Sequence, residues 1–321
     1  MNILVTGGSG FVGRRVILRL VADGHRVLAL SRSATAADAV RALGAEPVTG
    51  DLNRPRKLKL PALDGVVHAA AHFRLAGPRR PFFRTNVEGT RALLAASRKA
   101  GAKSFVAISA AAVIMDDRGS VLIDADETAP TFPRSFSAYI ASKAQAEALV
   151  LAANAPGFRT VALRPPAIWG PGDAFSHALP AAVRSGRFSF ISRGDYPCVT
   201  CHVDNVVEAA AAALSRGTGG RAYFINDREP TTFREFTLGI AGALGIDVTK
   251  ARSVPYGVAW QLGRIMETMW AIGGARDDPP LSRTLVRLIG RPFTTSDAAA
   301  RADLGYVGKR TRAEGLADYK L

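Results

Sequence analysis

The stretch "TGGSGFVG", Thr6–Gly13, constrains this chain more than any other. It follows the apolar run "NILV" and leads into "RRVILRLVADG", whose apolar residues recur at helical spacing until Gly24 closes the pattern. Gly7, Gly10 and Gly13 therefore lie between a first strand and a first helix. Without Cβ atoms they permit a tight turn and let backbone N–H groups approach an anion at the helix N-terminus. A bland turn rarely needs three glycines so soon after a strand. The order strand, glycine turn, helix calls for a parallel sheet.

The rest of the first half repeats the alternation. "HRVLAL", "GAEPVTGDL", "DGVVHAAA" and "KSFVAIS" read as strands two to five. "TNVEGTRALLAASRKAG" predicts a helix from about Thr85 to Gly101, and a further helix is predicted over 137–153, before the strand "RTVALR". This is the pattern of an α/β protein, a doubly wound Rossmann-type parallel sheet with helices on both faces. After Arg164 the character changes: "PPAIWGPGD" is rich in Pro and Gly, and shorter elements follow. "TTFREF" has the Thr232-to-Glu235 spacing of a capping box, and "YGVAWQLGRIMETMWAI" reads as a long helix. We expect a cofactor domain over 1–165 and, over 166–321, mainly a substrate-binding lobe with segments returning to the first domain.

The end of the second strand selects the cofactor. A carboxylate there would hydrogen-bond the adenine ribose 2′-OH of NAD. This chain has Ser31 and Arg32 instead. An arginine pairs with a 2′-phosphate that an acid would repel, so NADP is expected rather than NAD, with Arg14 as a second phosphate contact.

With these features on the page, the chain resembles the extended short-chain dehydrogenase/reductase family. The turn matches its TGxxGFxG, with Phe11 and Val12 inside it; "GDL" (Gly50, Asp51, Leu52) resembles the adenine-contacting strand end. "HAAA" (His68, Ala69, Ala70, Ala71) is similar to the segment that walls the cofactor. "YIASK" supplies Tyr-x-x-x-Lys at Tyr139 and Lys143. "LRPPAIWGPGD", which contains Pro165, and "HVDNVVEAA" are similar to the stretches that frame nicotinamide and substrate. Within the family the pattern most resembles the branch containing 3β-hydroxysteroid dehydrogenases and related bacterial 3-oxo-acid or sterol reductases. The resemblance implies an oxidoreductase moving hydride between nicotinamide and a secondary alcohol or ketone.

The chemistry has its own argument. Four residues apart on a helix, Tyr139 and Lys143 project from nearly the same face. A phenol with an ordinary pKa of about 10 is a poor base at neutral pH. A neighbouring ammonium and an oxidised nicotinamide both favour the phenolate, which can then exchange a proton with an alcohol or ketone. The resemblance also implies that Lys143 holds the nicotinamide ribose. Relatives carry paired Ser or Thr residues after the fifth strand, the second of which contacts the substrate oxygen. Here "VAISAAAVIM" has Ser109 first and Ala110 at the usual catalytic place. Ser109 is expected to reach the oxygen after a small backbone shift; a substitute hydroxyl or a slow enzyme are the alternatives.

Two other functions fit the scaffold. Sugar-nucleotide epimerases and dehydratases share it, and such relatives often have Arg-Asp-Phe before the segment matching "HVDN". This chain has "CVTC", without arginine or carboxylate. Trp260, Met266, Met269 and Trp270 on the long C-terminal helix also suggest an apolar substrate, sterol-like or an acyl chain. The second alternative is a non-catalytic NADP-binding sensor or scaffold, which Ala110 allows and Tyr139 with Lys143 opposes.

"CVTCH", Cys198–His202, has the spacing of c-type haem attachment. The chain is expected to be cytoplasmic, which argues against it, and Asp204 is expected to cap the helix that follows. His25, His68, His72, His177 and His202 show no ligand spacing with acids, so no metal is expected. Formal net charge is +15, and residues 51–100 hold eleven Lys or Arg against three acids. No aromatic residues alternate with these cations as a single-strand nucleic-acid surface requires, so a small hydrophobic molecule is the expected partner. Nothing in the sequence supports membrane contact through the 51–100 region or the 255–272 helix, and monomer and homodimer are both open.

Overall fold

Strands buried on both faces need apolar side chains pointing both ways, and the N-terminal half supplies them. Ile3, Leu4, Val5, Val66, Val67, Phe105 and Val106 have no exposed surface. The structure is a computed structural model and describes residues 1–54, 58–274 and 277–320. Its first elements are β1 (Asn2–Thr6), α1 (Phe11–Ala22), β2 (Arg26–Ser31), α2 (Ala34–Arg41), β3 (Glu46–Thr49) and β4 (Gly65–His68). Then come α3 (Arg79–Phe82), a π-helical turn (Phe83–Glu88), α4 (Gly89–Lys99), β5 (Ser104–Ile108), β6 (Leu122–Ala125), α5 (Ala138–Ala152) and β7 (Arg159–Arg164).

The helix expected from Thr85 thus begins at Arg79. Its first four N–H groups have no intrahelical partner, so Pro81 sits in that turn without losing a hydrogen bond. Phe82 is buried and anchors the start.

The remainder contains β8 (Ala167–Trp169), α6 (Ala174–Arg184), β9 (Ser189–Ile191), β10 (Pro197–Cys198), β11 (Thr200–His202), α7 (Val203–Ala213), β12 (Arg221–Phe224), β13 (Thr231–Thr232) and α8 (Phe233–Ala243). Last come β14 (Arg252–Val254), α9 (Tyr256–Ile272), α10 (Arg283–Ile289), β15 (Phe293–Thr295), α11 (Ala298–Leu304) and α12 (Arg312–Ala317). The capping box at Thr232 and Glu235 opens α8 as its spacing predicts.

Seven parallel strands form the main sheet in the order β3-β2-β1-β4-β5-β7-β12. Chain direction across the sheet reverses between β1 and β4, and such a switch point is where α/β sheets bind ligands. β12 and α7 come from the C-terminal half, yet both serve this layer. Val206, Val207, Ala209, Ala210 and Ala213 of α7 share a core with Ile3, Val5 and Ile17. The remaining strands make a four-stranded sheet, β13-β10-β15-β6, and the pairs β11–β8 and β14–β9.

Candidate active site

At the switch point the glycines are sterically required. Gly7 has φ +73°, and a Cβ there would lie 2.8 Å from the Ala70 amide nitrogen. A Cβ on Gly13 would meet the Gly7 carbonyl oxygen at 2.1 Å. Gly10 caps α1, its N–H donating to Gly7 O at 2.9 Å. No side chain caps this helix and no acid stands in its first turn, so the N-terminal amides beside Phe11 and Val12 face outward for an anion. These residues fit the diphosphate of NAD(P).

Around this turn stand the other expected cofactor contacts. Ser31 is buried and its hydroxyl donates to Ala29 O at 3.2 Å. Arg32 and Arg14 are exposed, and among the described residues no carboxylate lies within ion-pair distance of either. Asp51 accepts from the Asn53 N–H, bending the chain after β3, and Leu52 is buried. Ala69, Ala70 and Ala71 follow β4 alongside Gly7. Pro165 ends β7, its carbonyl accepting from the Ala111 N–H at 2.8 Å.

His68 braces this wall. One ring nitrogen bonds the Thr6 hydroxyl at 2.7 Å and the other the Thr90 hydroxyl at 2.8 Å. Burial, with nearby Lys143 adding to it, lowers its pKa to about 3, so the ring is neutral at ordinary pH. His72 packs edge-on against Phe82 at 4.6 Å, and burial lowers its pKa too.

Tyr139 and Lys143 lie on α5, as their spacing requires. Lys143 Nζ donates to the Ile108 carbonyl at 2.6 Å, tying α5 to the end of β5. Desolvation lowers its pKa to about 8, against the opposing charge of Glu147. Part of the Tyr139 ring reaches the surface, but the protein around its phenol pushes the pKa up to about 12. Burial alone causes this rise, and it favours the protonated phenol.

One turn further along the same face, Glu147 organises a group that sequence reasoning missed. Arg164 donates to Glu147 twice, Nε at 3.0 Å and Nη2 at 2.7 Å, with both side chains buried. Ser109 donates to the same carboxylate at 2.6 Å. A hydroxyl has one proton to give, and in this arrangement the Ser109 proton goes to Glu147. The Lys143-to-Glu147 spacing was readable; Arg164 and Ser109 meet it only through the packing of β7 and β5. Between Lys143, Glu147, His68, Asn86 and Thr90 is a cavity of about 10 Å³, room for about one water.

Aromatic side chains gather at the start of α5. Phe73 stands edge-on to the Tyr139 ring at 4.9 Å, and Phe136 meets Trp260 at 5.3 Å. Of the residues expected to signal an apolar pocket, Trp260 joins this group through Phe136. Met269 does not: it is 62% exposed, on the outer side of α9. Helical periodicity shows that α9 has faces but not which one the fold covers.

"CVTCH" is divided between two sheets, Cys198 in β10 and Cys201 in β11. Cys201 is fully buried, and burial raises both thiols, Cys198 to about 12. The cap of α7 is His202 rather than Asp204: the helix begins at Val203, and the imidazole accepts from the Asp204 N–H at 3.2 Å. Asp227 knots the region together, accepting from Trp169 Nε1, Thr200 Oγ1, the His202 N–H and Asn205 Nδ2 at 2.7–2.8 Å. Asp318 joins His202 and Asp204, their ligand-type atoms lying within 4.8 Å of one another. That grouping is already a charge network, since Asp318 pairs with Arg310 and Asp204 faces Arg15.

Residues 4–256 match the 3-beta hydroxysteroid dehydrogenase/isomerase family. A ketoreductase of 4-hydroxy-2-methyl-3-oxo-4-farnesyl-3,4-dihydroquinoline-1-oxide from Stigmatella aurantiaca is 41% identical over 98% of this chain and 95% of its own. The 2-alkyl-3-oxoalkanoate reductase of Stenotrophomonas maltophilia is 36% identical over 98% and 97%. UDP-glucose 4-epimerase from Thermotoga maritima superposes with a TM-score of 0.77 over 100% of this chain and 97% of its own; at 21% identity, that likeness concerns the fold.

Proposed function

The chain belongs to the 3-beta hydroxysteroid dehydrogenase/isomerase family, a branch of the extended short-chain dehydrogenases, and from that premise we propose that it is an NADP-dependent reductase of a ketone carried on a hydrophobic ring or chain. The observation that carries this reading is Tyr139 on α5, its ring edge-on to the half-exposed Phe73, with Lys143 one turn behind it on the same helix.

When bound, the nicotinamide supplies the hydride. The residues of this chain do the rest. Phe73, Phe136 and Trp260 offer apolar surface to a sterol-like or alkyl substrate. Tyr139 donates its proton to the ketone oxygen as the carbon accepts hydride, leaving a secondary alcohol. Burial keeps the phenol in the proton-bearing state that reduction needs, and the Lys143 charge stabilises the phenolate left behind. We assign Ser109 to holding Glu147, and through it the α5 face, since its proton is already committed. Arg32 and Arg14 would hold the 2′-phosphate of NADP, both standing exposed beside the glycine turn.

Against a sugar nucleotide, the approach to α7 offers Cys198, Val199, Thr200 and Cys201, with Thr200 turned inward to Asp227. None can hold a diphosphate by charge. The test follows NADPH oxidation with purified protein across long-chain 3-oxo acids, oxosteroids and farnesylated ketones, with UDP-sugars in parallel. Turnover of at least one apolar ketone, abolished by Tyr139→Phe, is expected. Conversion of UDP-sugars without consumption of NADPH would overturn the proposal.

A further inference from the structure

The irregular segment between β4 and α3 lies against the tyrosine of α5. Phe73 stands edge-on to the Tyr139 ring while half of its own surface is exposed, so it presents apolar surface beside that ring. The chain is anchored on both sides of Phe73. Upstream, Asn86 grips the His72 backbone twice: its carbonyl oxygen accepts from the His72 N–H at 2.7 Å, and its amide donates to His72 O at 3.1 Å. The same amide donates to Ser142 Oγ at 2.9 Å, and Ser142 donates to the Tyr139 carbonyl at 2.9 Å. The first anchor is therefore referred to α5 itself.

The second anchor comes from far along the chain. Asp278 lies 204 residues beyond Arg74. One of its carboxylate oxygens accepts from Arg74 Nε and from the Ala76 N–H, both at 3.1 Å, and the other accepts from the Leu75 N–H at 3.2 Å. Three consecutive loop residues thus donate to one side chain. Asp278 is itself firmly placed. Buried Pro279 and then Pro280 follow it and fix the backbone φ there. Ser282 caps α10, and Thr284 in its first turn donates to Ser137 Oγ at 3.1 Å, the hydroxyl that caps α5. The carboxylate sits on a stiff hook whose root is tied to the helix that carries Tyr139.

We propose that Asp278 is a positioning residue for the reduction: it holds Leu75 and Ala76, and with them Phe73, so that the Phe73 ring keeps its place on Tyr139 when the apolar ketone binds. As an ion pair alone, Arg74 with Asp278 would contribute little, since the two side chains are 27% and 30% exposed. The backbone bonds are what matter. Half-buried N–H groups need an acceptor, and among the described residues Asp278 supplies it to both Leu75 and Ala76. Without that acceptor the segment is fixed only at His72, and Phe73 is free to leave the tyrosine. The effect on the ketone rests on the reductase reading; the holding of the segment does not.

Hydrogen exchange of the full chain, resolved at single amides, reads the holding directly. In Asp278→Ala the Leu75 and Ala76 amides should exchange at least about tenfold faster. Arg74→Ala leaves both backbone bonds in place and should speed them by less than about twofold. With a ketone that the wild type reduces, Asp278→Ala should raise KM about fivefold with kcat within about twofold, the split of a lost ground-state contact. Asp278→Asn keeps one oxygen to accept with and should recover part of both effects; an unchanged thermal midpoint and NADPH affinity would show that the variants are folded. Unchanged exchange in Asp278→Ala would overturn the proposal, as would equal effects of Arg74→Ala and Asp278→Ala, the result for a solvated ion pair. So would faster exchange with an unchanged KM. Exchange needs no turnover, so a wild type that reduces no ketone removes the reductase reading and leaves exchange to decide the holding.

Discussion

Helices α5 and α9 have opposite burial. α5 buries Lys143 and Glu147 among alanines, while α9 holds five large apolar side chains in solvent. Ordinary folding does the reverse with each. A buried charge is costly unless paired, and α5 answers that cost with Arg164, Ser109 and the Ile108 carbonyl. What remains is a helix whose chemistry is held in place from within. On α9, among the described residues, nothing covers Val258, Leu262, Ile265, Met269 and Ile272, and this apolar face is left to solvent. The two helices place polarity in opposite ways: one buries charge and pairs it, the other leaves apolar surface exposed.

The sharpest test of that contrast is Tyr139→Phe, expected to lower kcat by about 10³-fold with NADPH affinity retained, the scale of a lost general acid. Steady-state kinetics beside cofactor titration reads both. A residual rate near wild type would remove α5 from the chemistry. Next, Glu147→Ala strands the buried Arg164 guanidinium and should cost about 3–5 kcal/mol of stability. Urea denaturation measures it, and a loss below about 1 kcal/mol would mean the pair is solvated.

Acid should act on the same layer through His68. Its folded pKa of about 3 lies below the unfolded value of about 6.5, so in that window the unfolded chain binds more protons and stability falls as pH falls. Between about pH 7 and about pH 5 the loss from this group is about 2 kcal/mol, and His68→Gln should remove it. Urea midpoints at the two pH values check the slope. Arg32→Ala is expected to weaken NADP binding roughly tenfold while leaving NAD binding unchanged; equal effects on both would sink the 2′-phosphate contact. Smallest of all, Ile265→Ser on α9 should change stability by no more than about 0.5 kcal/mol, because the side chain is already in water. A larger loss would show that this face of α9 is covered.

The main sheet and its glycine turn were readable because their signals are local. Three glycines can be recognised from steric demand, and Tyr139 with Lys143 from one turn of helix. The early start of the helix at Arg79 was not, because Pro81 reads as a break unless its place in the first turn is known. Ser109 shows the limit of alignment by strand. Its position at the end of β5 was correct, but Glu147, 38 residues later, receives its proton. In the C-terminal half, His202 caps α7 in place of Asp204, since either side chain could accept the bond and the backbone start of the helix decides.

From the sequence alone came the parallel sheet, the glycine cradle, the tyrosine–lysine pair and the length of α9, because each follows from spacing along the chain. Tertiary structure alone decided that Arg164 and Ser109 meet Glu147, that Asp227 gathers four donors, and that the apolar face of α9 points outward. Periodicity defines the faces of an element; only packing against the rest of the chain determines which of them are left to water.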